Sequence, residues 1–338
     1  PAIAGWSVGE EFRPEQMPLL ELPQEIVHAV DPANTLATVQ CRTDCFKISG
    51  ETLDVRVQFR DCYPFFADPA NGPTTFEASM RLFEDVMNRS QCLLPRGASL
   101  WAMPQGSSAY LSDKKILVFR MPSPAEIKLQ AWTALGIGAQ GFAYYLYPSH
   151  PPRHEGEPPA ILGLRTHDGK PTPQLEALTE LAAVLVPLGS VITSWERTRI
   201  PAATDQRELR ASLFSGRDDV PHLVVYNRDV NRVTTGRVRI PFACDTVLDL
   251  PTRKRLSHVA DGSGTVLELT LPPGDGTILQ LSGRMPEPLA FEGVDEPHIC
   301  SRPRPDLPLA LLADGRRVFR YEADFQAIRG IPIAESLP

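Results

Sequence analysis

No apolar run in this sequence approaches the ~20 residues that a membrane-crossing helix needs. Positive charge is not in excess: 34 Lys and Arg stand against 41 Asp and Glu, a formal net charge of −7, which gives no reason to expect a nucleic-acid partner. The six cysteines, Cys41, Cys45, Cys62, Cys92, Cys244 and Cys300, include no CxxC pair, so a zinc ribbon is not expected. Their even number permits disulfides without requiring them, buried free thiols are the default, and no redox compartment follows. A glycine-rich phosphate loop is also missing. Gly136-x-Gly138-x-x-Gly141 has the GxGxxG spacing, but it precedes a strand pattern instead of following one. No signal peptide is visible, and the first residue, Pro1, falls almost inside a strand pattern; a preceding part of a longer chain is expected.

What is present is an ordinary globular composition, 42% hydrophobic and 22% charged over 338 residues, enough for two domains. Proline is abundant, at 34 residues, and concentrates in loops. The stretch around which the chain is organised is Gly5 to Phe12, GWSVGEEF. A short apolar run there ends in two adjacent acids, Glu10 and Glu11, and Pro14 opens a helical pattern. A buried strand that stops at carboxylates and turns into a helix is how a parallel barrel presents acids at its mouth. Side chains alternate along a strand, so the two acids are expected to point to different sides.

Strand and helix patterns then alternate. Apolar Ile26, Val27 and Val30 mark a helix over 24–30, stopped at Asp31-Pro32. Leu36 to Cys41 reads as a buried strand and Thr43 to Gly50 as a loop. Leu53 to Phe59 alternates and leads to Asp61-Cys62-Tyr63-Pro64. Thr74-x-x-Glu77 is a capping box ahead of a core stripe of Phe76, Met80, Phe83 and Met87. Leu100 to Met103 is a fourth strand, followed by Pro104-Gln105. Ser123-Pro124-Ala125-Glu126 caps a helix ended by Gly136 and Gly138. Gly141 to Tyr147 is a fifth strand, and Thr172-Pro173 starts a helix closed by Gly189. This order predicts parallel strands with helices outside them. Five strands cannot close a barrel that needs eight, so three βα units are expected ahead of them.

From about 195 the period falls from 3.6 to 2. Seven short strands, from Ala211–Phe214 to Thr277–Leu281, alternate with turns such as Asp261-Gly262-Ser263-Gly264 and predict an antiparallel sandwich. Pro286 to Pro308 is a proline-rich linker, followed by a strand-like pair of unassigned role. The expected fold class is thus α/β, strands 4–8 of a (β/α)8 TIM barrel over 1–192, with an all-β sandwich over 195–283 and a linker and tail over 284–338.

Gly5-Trp6-x-x-x-Glu10-Glu11 resembles the fourth-strand motif of clan A glycoside hydrolases, in which Asn-Glu or Asp-Glu ends the strand. Asp61-x-Tyr63-Pro64, Leu100-Trp101-x-x-Pro104-Gln105, Gly141-Phe142-x-Tyr144-Tyr145 and Asp168-Gly169-Lys170-Pro171 are similar, in that order, to segments of β-galactosidase-like barrel proteins. The resemblance covers about 1–282. It implies cleavage of a glycosidic bond in an oligo- or polysaccharide, with Glu11 as general acid/base and no cofactor or metal. The leaving oxygen needs a proton, and an apolar wall can raise the pKa of the carboxyl that supplies it. The family's nucleophile, a Glu ending the seventh strand, has its counterpart near Gln105, which cannot attack as a carboxylate does. Asp61 is the candidate for that second catalytic carboxylate. Glu10, Trp6, Tyr63, Trp101, Gln105, Tyr145 and Tyr147 are the expected sugar-binding residues, the aromatics as flat stacking surfaces with polar tips. The alternative is a barrel that binds sugar, or serves as a structural module, without cutting.

His150 and His154, in HPPRHEGE, lie four residues apart, but prolines make the segment a loop, and a loop over the barrel mouth in reach of substrate is expected ahead of a metal site. His28 reads as a surface or packing residue. A secreted or periplasmic location is expected ahead of a cytoplasmic one; the oligomeric state is left open.

Overall fold

The computed structural model describes residues 6–32, 36–53, 55–94, 97–198, 200–216 and 219–286, together with the backbone of a strand pair, Pro308–Leu311 and Val318–Arg320. The rest of the expected linker and tail lies outside the described residues.

The first half is a parallel sheet with helices on one face. Its elements are β1 (Trp6–Glu10), a 3-10 turn (Pro14–Leu20) running into α1 (Glu21–Val30), β2 (Leu36–Gln40), α2 (Thr43–Thr52), β3 (Val55–Cys62), α3 (Phe76–Leu93) and β4 (Ser99–Pro104). A hairpin, β5 (Ser108–Leu111) and β6 (Ile116–Phe119), precedes α4 (Pro124–Ile137) and β7 (Gly141–Phe142). Then come β8 (Ile161–Leu162), α5 (Pro173–Leu185) and, after a short 3-10 turn, α6 (Gly189–Ile192). The sheet order is β1-β2-β3-β4-β7, and every neighbouring pair is parallel. β5, β6 and β8 form a separate antiparallel sheet from the connections that follow β4 and β7.

Local chemistry explains most of these boundaries. Ser123 and Glu126 cap α4 reciprocally: Glu126 N donates to Ser123 Oγ at 3.2 Å, and Ser123 N donates to Glu126 Oε2 at 2.7 Å. Gly138 closes α4 in the left-handed region at φ 117°. Gly136 lies inside the helix instead of ending it, where a Cβ would stand 2.8 Å from the Tyr226 ring. The cap of α3 is Thr75, one residue later than the expected box, with Ala78 N donating to its Oγ1. Residues 43–50, expected as a loop, belong to α2. That helix has no apolar repeat; its ordered contacts come from fully buried Cys45 and Phe46. The helix from Thr172 also passes Gly189 and ends at Ile192.

Pro173–Ile192 has the length and apolarity to cross a membrane. It nonetheless carries Glu176 and Glu180, packs Leu181, Leu185, Leu188 and Ile192 into the core, and pairs Glu180 with Lys128 Nζ at 2.7 Å.

The second half is two antiparallel sheets. β9 (Glu196–Arg197), β10 (Ala203–Thr204), β11 (Leu209–Ser215), β12 (Pro221–Asn227), β13 (Thr234–Ile240), β14 (Thr246–Asp249), β15 (Lys254–Arg255), β16 (Val259–Asp261), β17 (Gly264–Leu271) and β18 (Gly276–Ser282) pair as β10-β13-β17-β16 and β15-β14-β18-β12-β11-β9. Their facing sides enclose one core, with Leu213, Leu223, Val238, Leu267 and Leu279. The outer face of the larger sheet packs on α4, so that Phe214, Val224, Tyr226 and Ile278 share a second core with Met80, Phe83, Leu129, Trp132 and Leu135. This explains why α4 is buried nearly all round and why every residue of β12 is buried.

Candidate functional site

The parallel register sorts the strand residues by face. Leu100, Ala102 and Pro104 of β4 are buried toward the helices, so Trp101 and Met103 look the other way. Laterally paired residues share a side. Glu10, Val39, Phe59, Trp101 and Gly141 therefore form one row on the face free of helices, and Asp61 with Met103 forms the next row toward the carboxyl ends. The Trp101 indole lies over Gly141, where a Cβ would stand 2.3 Å from it, and meets the Phe59 ring edge-on with centroids 5.2 Å apart.

A bulge sets which acid joins that row. Between Ser7 and Glu10 the register slips: β1 uses three steps where β2 uses two, from Ala37 to Val39. Strict alternation from Ser7 would send Glu10 toward the helices. The extra residue returns it to the open face. Gly9 permits the slip, with φ 154° and the Phe12 ring so close that a Cβ would sit 2.5 Å from it. Glu11 follows in the left-handed region at φ 55°, its N–H donating to Val39 O at 2.9 Å. Both acids are exposed.

Asp61 is different. The residue is 6% exposed, and Oδ1 has no hydrogen-bond partner among the described residues. Burial raises its pKa to about 6; Arg60 opposes the rise, while the negative charges of Glu11 and Glu10 add to it. Arg60 lies on the helix side, where its Nη1 donates to Gln40 O at 3.0 Å. Cys41, at the end of β2, is also pushed up, to about 11, by burial and then by Asp61 and Glu11. Tyr63 and Tyr145 stack with centroids 5.5 Å apart, and the Phe119 ring meets Tyr63 edge-on at 5.9 Å. Burial raises the pKa of both phenols, helped by Asp61 at Tyr63 and by Glu10 and Glu11 at Tyr145. The charge of Glu11 thus acts on Asp61, Tyr63, Tyr145 and Cys41, and that of Glu10 on the first three, at a single end of the sheet.

Other expected site residues stand elsewhere. Trp6 pairs with Leu36 on the helix side, and its Nε1–H donates to Asp31 Oδ2 at 2.9 Å. Gln105 is 1% exposed and its amide is spent on the loop: Nε2 donates to Ser107 O at 3.0 Å and Arg120 O at 2.7 Å, while Oε1 accepts from Phe65 N at 2.9 Å. Its backbone groups are taken up by the Gln130 amide. Tyr147 is half exposed, and its hydroxyl accepts from Arg165 Nε at 2.7 Å. His150 lies in a bridge to Ile161, and no group of three or more His, Cys, Asp or Glu suited to a metal ion occurs among the described residues. Cys41, Cys45, Cys62, Cys92 and Cys244 are free thiols. Sequence reasoning missed the roles of Gly9, Phe12, Gly141 and Phe119; the glycine before two acids was the one readable signal.

No protein-family model and no curated protein matches this sequence. Solved structures resemble its fold. A family 39 glycoside hydrolase from Bacteroides cellulosilyticus WH2 aligns at 14% identity with TM-score 0.39, over 83% of this chain and 58% of that one. A family 51 arabinofuranosidase from Xanthomonas axonopodis pv. citri aligns at 10% identity with TM-score 0.47, over 83% and 66%. A maltogenic alpha-amylase from Thermotoga neapolitana aligns at 13% identity with TM-score 0.42, over 77% and 58%. The chain spans less than two thirds of each of these relatives, all of them glycoside hydrolases.

Proposed function

We propose that the parallel sheet is part of a (β/α)8 barrel, followed by a β-sandwich, and that it hydrolyses a glycosidic bond in an oligo- or polysaccharide. The observation that carries this reading is Asp61: a buried carboxyl with a raised pKa, its Oδ1 without a hydrogen-bond partner among the described residues, on the same face as Glu10 and close enough to Tyr63 to raise that phenol's pKa. In its acid form Asp61 gives a proton to the leaving oxygen. The exposed pair ending β1 supplies the second carboxylate. The motif assigns the acid/base role to Glu11 and the second carboxylate to Asp61; the raised pKa of Asp61 supports exchanging these roles, and Glu10 is the acid the bulge turns to the open face. Tyr63, Tyr145 and Trp101 offer apolar surface to the sugar ring.

The test is hydrolysis of a panel of p-nitrophenyl glycosides and unmodified oligosaccharides by the complete protein. Asp61→Asn is expected to lower kcat by 10²–10⁴-fold, the usual worth of a general acid. Glu11→Gln and Glu10→Gln tell the two β1 acids apart; unchanged hydrolysis by both variants would sink the assignment. The configuration of the first product then reports the carboxyl separation, ~5–5.5 Å for retention and ~6.5–9.5 Å for inversion. Gln105 supports a second reading, in which the site binds sugar without cutting it. Saturable binding with no turnover would favour that reading.

A further inference from the structure

The outer face of the larger sandwich sheet is only partly covered. Helix α4 packs over Val224, Tyr226 and Ile278. The Trp195 ring packs on Phe214 and His222, with centroids 4.5 and 6.0 Å away. Antiparallel pairing carries the same face outward from His222 through Gln280 and Leu248 to Arg255. The next row on that face pairs Ser282 with Thr246. Together with Asp219 and Val220, from the turn between β11 and β12, this corner forms an open cleft of about 470 Å³. That volume falls within the roughly 300–1,000 Å³ of sites that hold small molecules. The side chains of Asp219, Thr246, Arg255, Gln280 and Ser282 make no hydrogen bond or ion pair with the described residues. Gln140, just ahead of β7, donates from Nε2 to Trp195 O at 3.2 Å. The corner therefore lies toward the amino ends of the parallel strands, away from the acids at their carboxyl ends.

We propose that this cleft is a second binding site, for a neutral sugar unit. The lining sets the chemistry. Arg255 only donates hydrogen bonds, the Asp219 carboxylate only accepts them, and the Gln280 amide and the Thr246 and Ser282 hydroxyls do both. A sugar hydroxyl also does both, so a ring that bears several can use all five groups. Leu248 and Val220 leave apolar surface for the C–H face of the ring. One positive and one negative group stand in balance. An anion drawn to Arg255 meets Asp219, and a cation drawn to Asp219 meets Arg255. An added peptide strand would need a free main-chain edge, but β14 and β18 are paired on both sides. Binding here does not depend on whether Asp61 cuts the same sugar.

The test is protection of a cysteine placed in the cleft. Ser282→Cys, in the full chain with Asp61→Asn to keep the probes whole, is treated with a maleimide, and labelling at 282 is located by peptide mapping. The probes are cellotetraose, xylotetraose, mannotetraose, maltotetraose and arabinotetraose, with tetragalacturonate and a chitosan tetramer as charged comparisons. Saturable slowing by at least one neutral probe, at lower concentration than either charged one, is expected. Arg255→Ala should raise the concentration needed roughly tenfold, the worth of one hydrogen bond to a charged group. No slowing by any neutral probe overturns the site. So does a charged probe as effective as the best neutral one, which assigns the cleft to an ion, and so does slowing that Arg255→Ala leaves unchanged. Thr246→Cys, opposite Ser282 in the ladder, carries the same readout if Ser282→Cys misfolds. Hydrolysis by the wild-type chain is followed in parallel. Protection without turnover sinks the hydrolase and keeps this site; turnover without protection does the reverse.

Discussion

At the scale of single residues, Asp61 couples activity to stability in opposite directions. Its pKa is about 6 in the folded protein against 3.8 as the ordinary value. Below 3.8 both states hold the proton and no charge is buried. As pH rises toward 6 the unfolded chain loses the proton while the folded one keeps it, so stability falls and stays lowered above 6. At ~1.4 kcal/mol per pKa unit, the loss is up to about 3 kcal/mol. Asp61→Asn is therefore expected to raise stability near pH 8, with little effect near pH 3.5, alongside the ~10²–10⁴-fold loss of kcat proposed above; urea unfolding at the two pH values measures the difference. On the proposed mechanism, in which the acid form of Asp61 donates the proton, wild-type activity is expected to decline as pH passes about 6. Gln105 behaves in the reverse sense. Gln105→Glu restores the carboxylate that the motif leads one to expect, yet it sets acceptor oxygens against two carbonyls that now accept hydrogen bonds. It is expected to cost about 3 kcal/mol, from buried groups left unsatisfied, and to add no hydrolysis. A gain of turnover would show that the loop can release this side chain.

At the scale of elements, caps and apolar stripes were legible because their chemistry is local. Ser123 with Glu126 capped α4 as expected, and Met80, Phe83 and Met87 are fully buried on α3. Ser123→Ala should cost about 1 kcal/mol, read as a lower denaturation midpoint with unchanged slope. The bulge in β1 was not legible, since it is a relation between two strands and neither spells it alone. Gly9→Ala is expected to push the Phe12 ring aside or undo the slip, and so to lower activity more than stability. Helix α2 was missed for a related reason. It has no periodic stripe, and buried Cys45 and Phe46 hold it from outside.

At the scale of the whole molecule, the sandwich is bound to the helical layer and is not a loosely tethered module. Arg228 donates to Glu77 Oε2 at 2.5 Å and to Glu84 Oε1 at 2.9 Å on α3, and Trp132 Nε1–H of α4 donates to Asp275 Oδ1 at 3.0 Å. Trp132 is fully buried in a core that runs through both layers. Trp132→Ala should cost about 3–5 kcal/mol, and because the core is shared, near- and far-ultraviolet signals should move together in one transition. Two separated transitions in the unsubstituted protein would contradict a shared core. The sequence by itself determined the alternation of strand and helix to about 190, the change of period to antiparallel strands after it, and the acids and tyrosines worth watching. Hydrophobic spacing, caps and turn residues act within a few positions, so they can be read along the chain. Only the tertiary structure decided that Glu10 shares a face with Asp61, that Gln105 is consumed by its loop, and that α4 is buried between two sheets. Each of these depends on register and packing between segments far apart in sequence, where burial and charge are set by neighbours that local pattern does not name.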